Sequence, residues 1–465
     1  MKRSFIALLI AVFLAVPALA QQSTLKLPPY KKTKLPNGLT LLLMEHHEVP
    51  IVSFEFAVRA GSVADPAGKE GTAALTADLL RKGTKSRTAD QIAAELDFIG
   101  GTLSADASAD STSGSGEFLK KDLAKGLDLL ADVLLNPTFP EEEFKKLQAQ
   151  SIDGIRSSRD QAQAVMTNYF NAYLFGSHPY ARPTGGDERS LAAITRDDVV
   201  KFYQANYTPG VTILAVVGDF STAEMEKLLA EKFGNWKGSG ERPMILPRVP
   251  DPALAKGKRL LMVDKPDSTQ TFFRIGNVGI SSNDPDRVPI EVVNTLFGGR
   301  FTSMLNSGLR IETGLTYGAR SFFDRRTVRG PFAINTYTRN ETTEKAIDMA
   351  LDILKRLHAE GINEAQLTSA KNYIKGQFPP DIETSDQLAD LLVDLELRGL
   401  DQREVNEFYA RVDAMTLADA RRVIQQHFPL ENLVFVLIGK ASEIEPLAKK
   451  YAATLDKKSI TDPGF

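Results

Sequence analysis

A strand pattern that ends in glycine occurs twice along the chain of 465 residues. Apolar and polar residues alternate over residues 52–58, which predicts a half-buried strand before Gly61, and a second apolar stretch ends before Gly279. Two longer apolar runs, 211–217 and 433–438, are each followed by a glycine as well. The offsets between corresponding glycines are 218 and 221 residues, and their agreement at widely spaced positions indicates a duplicated domain.

A segment rich in proline separates the two halves. Residues 238–257 contain Gly238, Gly240 and four prolines, a composition typical of an extended, semi-rigid linker. We therefore expect a first domain at 21–237 and a second at 258–465, each of about 200 residues. Strands and helices follow one another in each half without a regular strand–helix–strand alternation, which predicts an α+β layer architecture.

Local signals place individual elements within the first half. Asn37 and Gly38 separate two short apolar runs, which predicts a hairpin turn. Thr88 and Gln91 have the spacing of a capping box, and Gly100 is typical of a helix end. The sequence therefore predicts a helix between residues 88 and 100.

The composition excludes several classes of function. Hydrophobic residues make up 43% of the chain and charged residues 25%, as in ordinary globular proteins. The net charge of −3 argues against a nucleic-acid-binding protein. The chain contains no cysteine, which excludes disulfide bonds, thiolate metal sites and cysteine nucleophiles.

The first twenty residues have the pattern of a secretory signal peptide. Lys2 and Arg3 precede an apolar run at 5–16, and residues 18–20 form a small-x-small cleavage site. The alternative, an uncleaved anchor helix, is disfavoured because the apolar run is short for a membrane span. We therefore expect a periplasmic protein without a membrane span after cleavage.

The histidines do not predict a metal site. His46 and His47 are adjacent, and side chains at adjacent strand positions point to opposite faces, so a solvated strand end is expected there. His178 lies in a turn-rich loop at 176–180 and is expected to be structural. The sequence also contains no phosphate-binding loop and no Gly-x-Ser-x-Gly elbow.

Several short motifs together resemble the pitrilysin/insulinase family of zinc metallopeptidases, which carry an inverted His-x-x-Glu-His motif. The motifs are Leu35-Pro36-Asn37-Gly38, Gly83-Thr84, Leu135-Asn136-Pro137-Thr138-Phe139, His178-Pro179-Tyr180 with Pro183 and Gly186, Asn206-Tyr207-Thr208-Pro209, and Val217-Gly218-Asp219. They cover nearly the whole chain after the signal peptide and are most similar to the bacterial two-domain subfamily. The resemblance implies two homologous domains like those of processing peptidases, each a mostly antiparallel sheet with helices packed on one face.

The chain departs from the family at the positions that the resemblance assigns to the zinc site. The first histidine corresponds to Ala74, the catalytic glutamate to Ala77 and the second histidine to Asp78, while the downstream glutamate ligand falls near Gly154. Methyl groups cannot bind zinc, and one carboxylate without imidazoles is not a zinc site. The family's asparagine after the Gly-Gly pair is also replaced, by Ser104. We therefore expect no metal and no cofactor in this chain.

The second half keeps a pair of residues that the family uses to position substrate. Arg310 and Tyr317, seven residues apart, match the arginine and tyrosine that reach toward the zinc site in the family. We expect Arg310 at a helix end, Gly314 at a turn and Tyr317 on the next strand. The resemblance implies that Arg310 binds substrate oxygens and that Tyr317 stabilises the oxyanion, whereas without it both residues are expected to be structural.

These expectations combine into one hypothesis and one alternative. Some bacterial members of the family pair a zinc-bearing subunit with a subunit that carries the arginine–tyrosine pair. We therefore expect this chain to be the non-zinc subunit of an exported heterodimer, acting on extended peptides at the zinc site of its partner. The alternative is a peptide-binding or chaperone-like protein without catalysis, possible also as a homodimer, whereas a peptidase active alone conflicts with the missing ligands.

Overall fold

The structure is a computed structural model that describes residues 26–238 and 249–465. The expected signal peptide at 1–20 and residues 239–248 of the expected linker lie outside the described residues. No helix within the two described ranges is long and apolar enough to cross a membrane.

The first half is built on a seven-stranded sheet. Its strands are β1 Lys31–Lys34, β2 Thr40–Glu45, β3 Ile51–Val58, β4 Thr102–Leu103, β5 Asp106–Ala107, β6 Thr112–Leu119 and β7 Thr212–Gly218. Its helices are α1 Thr72–Leu79, α2 Ala89–Ile99, α3 Leu123–Leu135, α4 Glu141–Ser158, α5 Ala162–Phe175, α6 Glu188–Ala193, α7 Arg196–Asn206 and α8 Thr222–Phe233. The strand order is β1-β2-β7-β3-β6-β4, with β5 also paired to β6. Neighbouring strands are antiparallel except β2 and β7.

The second half repeats this design with six strands. Its strands are β8 Arg259–Asp264, β9 Gln270–Val278, β10 Ala319–Phe323, β11 Pro331–Arg339, β12 Val434–Gly439 and β13 Thr454–Ser459. Its helices are α9 Arg287–Asn294, α10 Met304–Asn306, α11 Thr343–Glu360, α12 Glu364–Gln377, α13 Ser385–Arg398, α14 Arg403–Asn406, α15 Phe408–Ala414, α16 Leu417–His427 and α17 Ala441–Ala448. Two π-helical segments, Thr295–Gly299 and Ser307–Glu312, lie on either side of α10. The strand order is β10-β11-β9-β12-β8-β13, in which only the pairs of β8 are parallel.

The predicted local signals are confirmed. Asn37 and Gly38 lie in the turn between β1 and β2, where Gly38 has a φ of 102° that favours glycine. Thr88 accepts a hydrogen bond from the Gln91 amide and completes the capping box of α2, and Gly100 ends that helix in the left-handed conformation.

Each half lends one helix to the sheet of the other half. The apolar face of α5 packs on the second sheet, against side chains such as Val436 of β12. Conversely, α13 packs on β3 and β7 of the first sheet through Leu388 and Leu392. The remaining helices of each half pack on the opposite face of their own sheet. Because α5 and α13 occupy equivalent places in the two halves, the exchange follows the duplication.

Hydrogen bonds to main-chain carbonyls join the two halves as well. Arg59, just after β3, donates to the carbonyl oxygens of Glu396 and Leu397, both at 2.7 Å, and so satisfies groups at the end of α13 that have no intrahelical partner. Arg159, at the end of α4, donates to the carbonyls of Ile460 and Asp462 at 2.5 and 2.6 Å. The last residues of the chain are thereby held against the first half.

The exchange of helices corrects the prediction of a half-buried strand at 52–58. Phe54 and Phe56 face the helices of their own half, as the alternation predicts. Ser53, Glu55 and Ala57, on the other face, are buried as well, because α13 covers them.

Candidate functional site

The positions that correspond to the zinc site lie on two helices that pack together, α1 and α4. Helix α1 begins after Gly71, whose φ of 99° favours glycine, and the Asp65 carboxylate accepts hydrogen bonds from the Gly71 and Ala73 amides, both at 2.8 Å. Burial raises the pKa of Asp65 to about 7. These contacts hold the first turn of α1, so the helix is well defined although it is short.

Three of the four positions share one face of α1. Ala74, Ala77 and Asp78 are spaced three and four residues apart, which places their side chains together. Ala77 is completely buried, and Ala74 and Asp78 are half-buried. Gly154 is exposed on α4, and its neighbour Asp153 accepts a hydrogen bond from Arg156 at 3.2 Å.

Asp78 is the single side chain at these four positions that can bind a cation. Burial raises its pKa, the charge of Asp106 raises it further, and Arg81 and Lys82 oppose the shift. One carboxylate does not fit zinc, which requires three or four protein ligands and favours imidazole among them. The donor set on α1 and α4 therefore does not support metal-assisted hydrolysis within this chain.

A search of the described residues for groups of three metal-binding side chains finds one cluster, in the second half. It consists of Asp284, Asp286 and His427. Both carboxylate oxygens of Asp286 accept hydrogen bonds from Arg422, at 2.7 and 2.8 Å, and Nε2 of His427 lies 3.0 Å from one of them. Because the guanidinium already occupies the carboxylate, the arrangement fits an ion pair that joins α16 to the start of α9.

Arg310 and Tyr317 lie in the second half, on the segment that leads into β10. Arg310 belongs to the π-helical segment Ser307–Glu312, and Gly314 turns the chain with a φ of 63°, as expected. Tyr317 lies in the loop two residues before β10, so the expectation that it lies on the strand was wrong. The Leu315 amide donates to the Leu309 carbonyl at 2.9 Å, which holds the two sides of the loop together.

Both side chains of this pair are directed away from the protein interior. The Tyr317 side chain is 77% exposed, and its hydroxyl makes no hydrogen bond with a described residue. The Arg310 guanidinium lies over the ring of Phe301, with 4.8 Å between its central carbon and the ring centroid. No carboxylate of the described residues lies within ion-pair distance of Arg310. Its N–H donors are therefore available to a molecule outside the chain.

Two family models match the chain. The model described as Insulinase (Peptidase family M16) matches residues 41–188, and the model described as Peptidase M16 inactive domain matches residues 193–374. Together they span more than half of the sequence and both halves of the fold. The chain belongs to the insulinase family of peptidases, family M16.

Relatives of this M16 chain carry names of the same family. An uncharacterized zinc protease of Mycobacterium tuberculosis is 27% identical over 393 residues, which cover 84% of this chain and 89% of that protein. A corresponding protein of Mycobacterium leprae is 28% identical over 401 residues, covering 85% and 88%. The probable mitochondrial-processing peptidase subunit beta of Arabidopsis thaliana is 22% identical over 440 residues, covering 92% and 82%.

Solved structures confirm the fold class of the M16 chain. A peptidase M16 inactive domain from Pseudomonas fluorescens superimposes with a TM-score of 0.83 at 25% identity, covering 89% of this chain and 98% of that one. A protease from Helicobacter pylori superimposes with a TM-score of 0.83 at 22% identity, covering 89% and 100%. The predicted fold of two α+β domains, each with a mostly antiparallel sheet, is thus confirmed.

The histidines of the M16 chain serve separate structural contacts. His47 is exposed, and hydrogen bonds from Asp219 and then Glu45 raise its pKa, which fits the solvated strand end that was expected. His46, in contrast, is largely covered, with Nδ1 3.0 Å from the hydroxyl of Ser385 at the start of α13. Nε2 of His178 lies 2.7 Å from the carbonyl oxygen of Pro250.

Two features beside the site were not predicted from the sequence. Phe301 supports Arg310 from nine residues earlier in the chain, and no spacing rule connects an exposed phenylalanine with that arginine. Arg81 reaches from the residues after α1 to the carbonyl oxygen of Leu103 on β4, at 2.9 Å. Such a contact depends on the packing of α1 against the sheet, and the sequence carries no local signal for it.

Proposed function

We propose that this chain is the non-zinc subunit of an exported heterodimeric metallopeptidase of family M16. A homologous partner would supply the zinc ion and the general base, and this chain would supply Arg310 and Tyr317. Two halves from each chain would form a clamshell of four similar domains around a cavity. The substrates would be peptides bound in extended form by addition of a strand to a sheet edge.

The observation that carries the proposal is the exposure of an unpaired arginine–tyrosine pair in a chain without metal ligands. Tyr317 is 77% exposed and its hydroxyl has no partner among the described residues. A large aromatic side chain in that position favours binding to another molecule, because tyrosine combines an apolar body with a polar tip. The alanines on α1 place any hydrolytic centre outside this chain.

The chemistry available to the pair is binding and charge stabilisation. The Arg310 guanidinium offers forked donors to peptide carbonyl oxygens or to a terminal carboxylate. Its face is occupied by the Phe301 ring, which leaves the donors at its rim for substrate. The Tyr317 hydroxyl can donate to the oxyanion that develops when a peptide carbonyl is attacked. These roles need no metal in this chain.

Export to the periplasm is part of the proposal and depends on residues 1–20. The pattern of two basic residues, an apolar run and a small-x-small site supports cleavage after Ala20. Cell fractionation with determination of the mature N-terminus tests this point. Recovery of the uncleaved chain in the cytoplasm would contradict it.

The decisive experiment is purification of the native protein under mild conditions, followed by identification of any bound homologue. The expected result is a stable complex with a chain that carries His-x-x-Glu-His, and peptide hydrolysis only by the complex. The interface should be large, because each chain is needed to close the cavity. Analytical ultracentrifugation of each chain and of their mixture gives the stoichiometry. A homodimer that binds peptides without cleaving them would instead favour the peptide-binding or chaperone-like alternative.

A further inference from the structure

The free edge of the first sheet is formed by β4 and β5, which pair with β6 and with no other described strand. Thr102 lies opposite Glu117, and the Ser104 amide donates to the Ser115 carbonyl at 2.8 Å, so the even-numbered residues form the hydrogen-bonded pairs. In an antiparallel ladder the residues between such pairs direct their own amide and carbonyl groups away from the neighbouring strand. The outward groups of this edge therefore belong to Leu103, Ala105 and Ala107.

A side chain of the protein already occupies the outward carbonyl at one end of this edge. Nη1 of Arg81 donates to the Leu103 oxygen at 2.9 Å, which is an ordinary hydrogen-bond length. An added strand would lie about 4.8 Å away and would place its own amide nitrogen at this point. The guanidinium thus takes the place of the first donor of an incoming peptide. Nε of Arg81 is buried without a partner among the described residues, so the side chain is held there although one donor is unsatisfied.

The other end of the edge is closed by two further contacts. The outward amide of Ala107 donates to Oδ1 of Asp106 at 2.9 Å. Immediately beyond it, the amides of Ser62 and Val63 donate to the carbonyls of Ser108 and Ala109, both at 3.0 Å. A strand extending in that direction would collide with the segment that precedes α1.

Little of the remaining edge is accessible. Leu103 is 5% exposed and Ala105 is 8% exposed, and these fractions include their main-chain atoms. Helix α1 packs beside β5, and Asp78 lies close enough to Asp106 for that carboxylate to raise its pKa. The edge therefore runs directly past the positions that correspond to the metal ligands.

We infer that the first sheet of this chain is closed to strand addition by Arg81 and Asp106, together with the segment 61–63. A peptide can extend this sheet only after Arg81 leaves the Leu103 carbonyl. Resting on the proposed function, the inference has a second consequence: the extended substrate of the complex adds to the sheet of the partner subunit. This chain then contacts the substrate through side chains alone.

The test of edge closure uses the isolated full chain and needs no partner. The probe is a fluorescein-labelled peptide of alternating valine and threonine with a lysine at each end, and its binding is measured by fluorescence anisotropy. The double variant Arg81→Ala/Asp106→Ala removes both side-chain caps. The matched control, Arg156→Ala/Asp153→Ala, removes an exposed ion pair on α4. We expect the cap variant to bind the probe at least about tenfold more tightly than the wild type and the control, since main-chain hydrogen bonds supply most of the affinity of an added strand.

Hydrogen exchange provides a second measurement that does not depend on the folding of a variant. In the wild-type chain, the probe should leave the exchange rates of the Leu103 and Ala105 amides unchanged, whereas in the cap variant it should slow them. Protection of these amides by the probe in the wild type would overturn the inference. A cap variant that melts normally and binds no more tightly than the wild type would overturn it as well.

A third experiment separates this inference from the proposed function. In a purified complex, a photoreactive group within the peptide should label the partner's sheet and not residues 102–107 of this chain. If no partner exists, the proposed function fails while the binding and exchange results still decide whether the edge is closed. Labelling of residues 102–107 within an active complex would overturn the edge closure and leave the proposed function standing.

Discussion

Glu55 and Arg274 occupy equivalent positions in the two sheets, 219 residues apart, and each is buried beneath a helix that belongs to the other half. Glu55 lies opposite Ala215, and Arg274 lies opposite Val436, so the pairing registers correspond. Burial, and then the charge of Asp390 on α13, raises the pKa of Glu55 to about 8. Burial lowers the pKa of Arg274 to about 10, and its guanidinium lies 5.4 Å from the ring centroid of Phe170 on α5. The exchange of helices thus places a charged group of opposite sign under each crossing helix.

The raised pKa of Glu55 predicts that stability falls as the pH rises. In the folded state Glu55 keeps its proton up to about pH 8, whereas in the unfolded state it loses it near its ordinary value of 4.5. Between these values the folded state binds more protons, so the free energy of unfolding decreases by at most about 1.4 kcal/mol per pH unit. Glu55→Gln should therefore raise the melting temperature above that of the wild type at pH 8.5 and change it little at pH 4.5. The exposed Glu142→Gln is the control, and an equal effect of Glu55→Gln at both pH values would contradict the prediction.

Arg159 is predicted to contribute strongly to the attachment of the last residues to the first half. Besides the carbonyls of Ile460 and Asp462, it binds the Glu188 carboxylate at 2.9 Å. Arg159→Met should lower the free energy of unfolding by about 2–4 kcal/mol, because it leaves several buried acceptors without a donor. The measurement is denaturant unfolding, and Arg156→Met, one helical turn earlier and exposed, is the matched control. Equal unfolding curves for the two variants would show that the buried contacts add nothing.

The isolated chain is predicted to hold no stoichiometric zinc and to cleave no peptide. The reason is the presence of Ala74, Ala77, Asp78 and Gly154 where the family has its ligands and base. Metal analysis of the dialysed protein, combined with a peptide-cleavage assay, provides the check. About one tightly held zinc ion per chain would refute the prediction, since a site of that affinity needs a full ligand set.

Tyr317→Phe is predicted to lower kcat of the complex by about 10²–10³ with little change in KM, because an oxyanion donor acts mainly in the transition state. Arg310→Ala should raise KM as well, since the guanidinium also binds ground-state substrate. Arg310→Lys should restore little, because an ammonium cannot replace a planar fork. Neither change should alter the zinc content of the complex. The measurement is steady-state kinetics of the complex, with melting temperature as a folding check.

Tyr373→Phe is the matched control for the tyrosine variant. Tyr373 is an exposed tyrosine of the same half, on α12, and its ring lies near Arg300 as the Phe301 ring lies near Arg310. It should assemble and cleave at the wild-type rate. If Tyr317→Phe and Arg310→Ala do the same, both residues are structural, and the peptide-binding alternative gains.

Much of the local structure was predictable because it depends on neighbours in the chain. The turn at Asn37 and Gly38 and the capping box of Thr88 follow from main-chain conformation and short-range hydrogen bonds, and the structure has both. The duplication was visible because strands ending in glycine recur at a constant offset. The alanines at 74 and 77 were equally plain, since they exclude ligands whatever the packing around them.

The tertiary structure decided which surfaces these elements share. The alternation over 52–58 predicted that Ser53 and Glu55 face solvent, yet α13 covers them, because a helix from more than 300 residues away leaves no trace in the local pattern. Likewise, Arg81 closes the edge at Leu103 only because α1 packs beside β5. Sequence periodicity records which face of an element is apolar, whereas burial of its polar face depends on which distant segment packs against it.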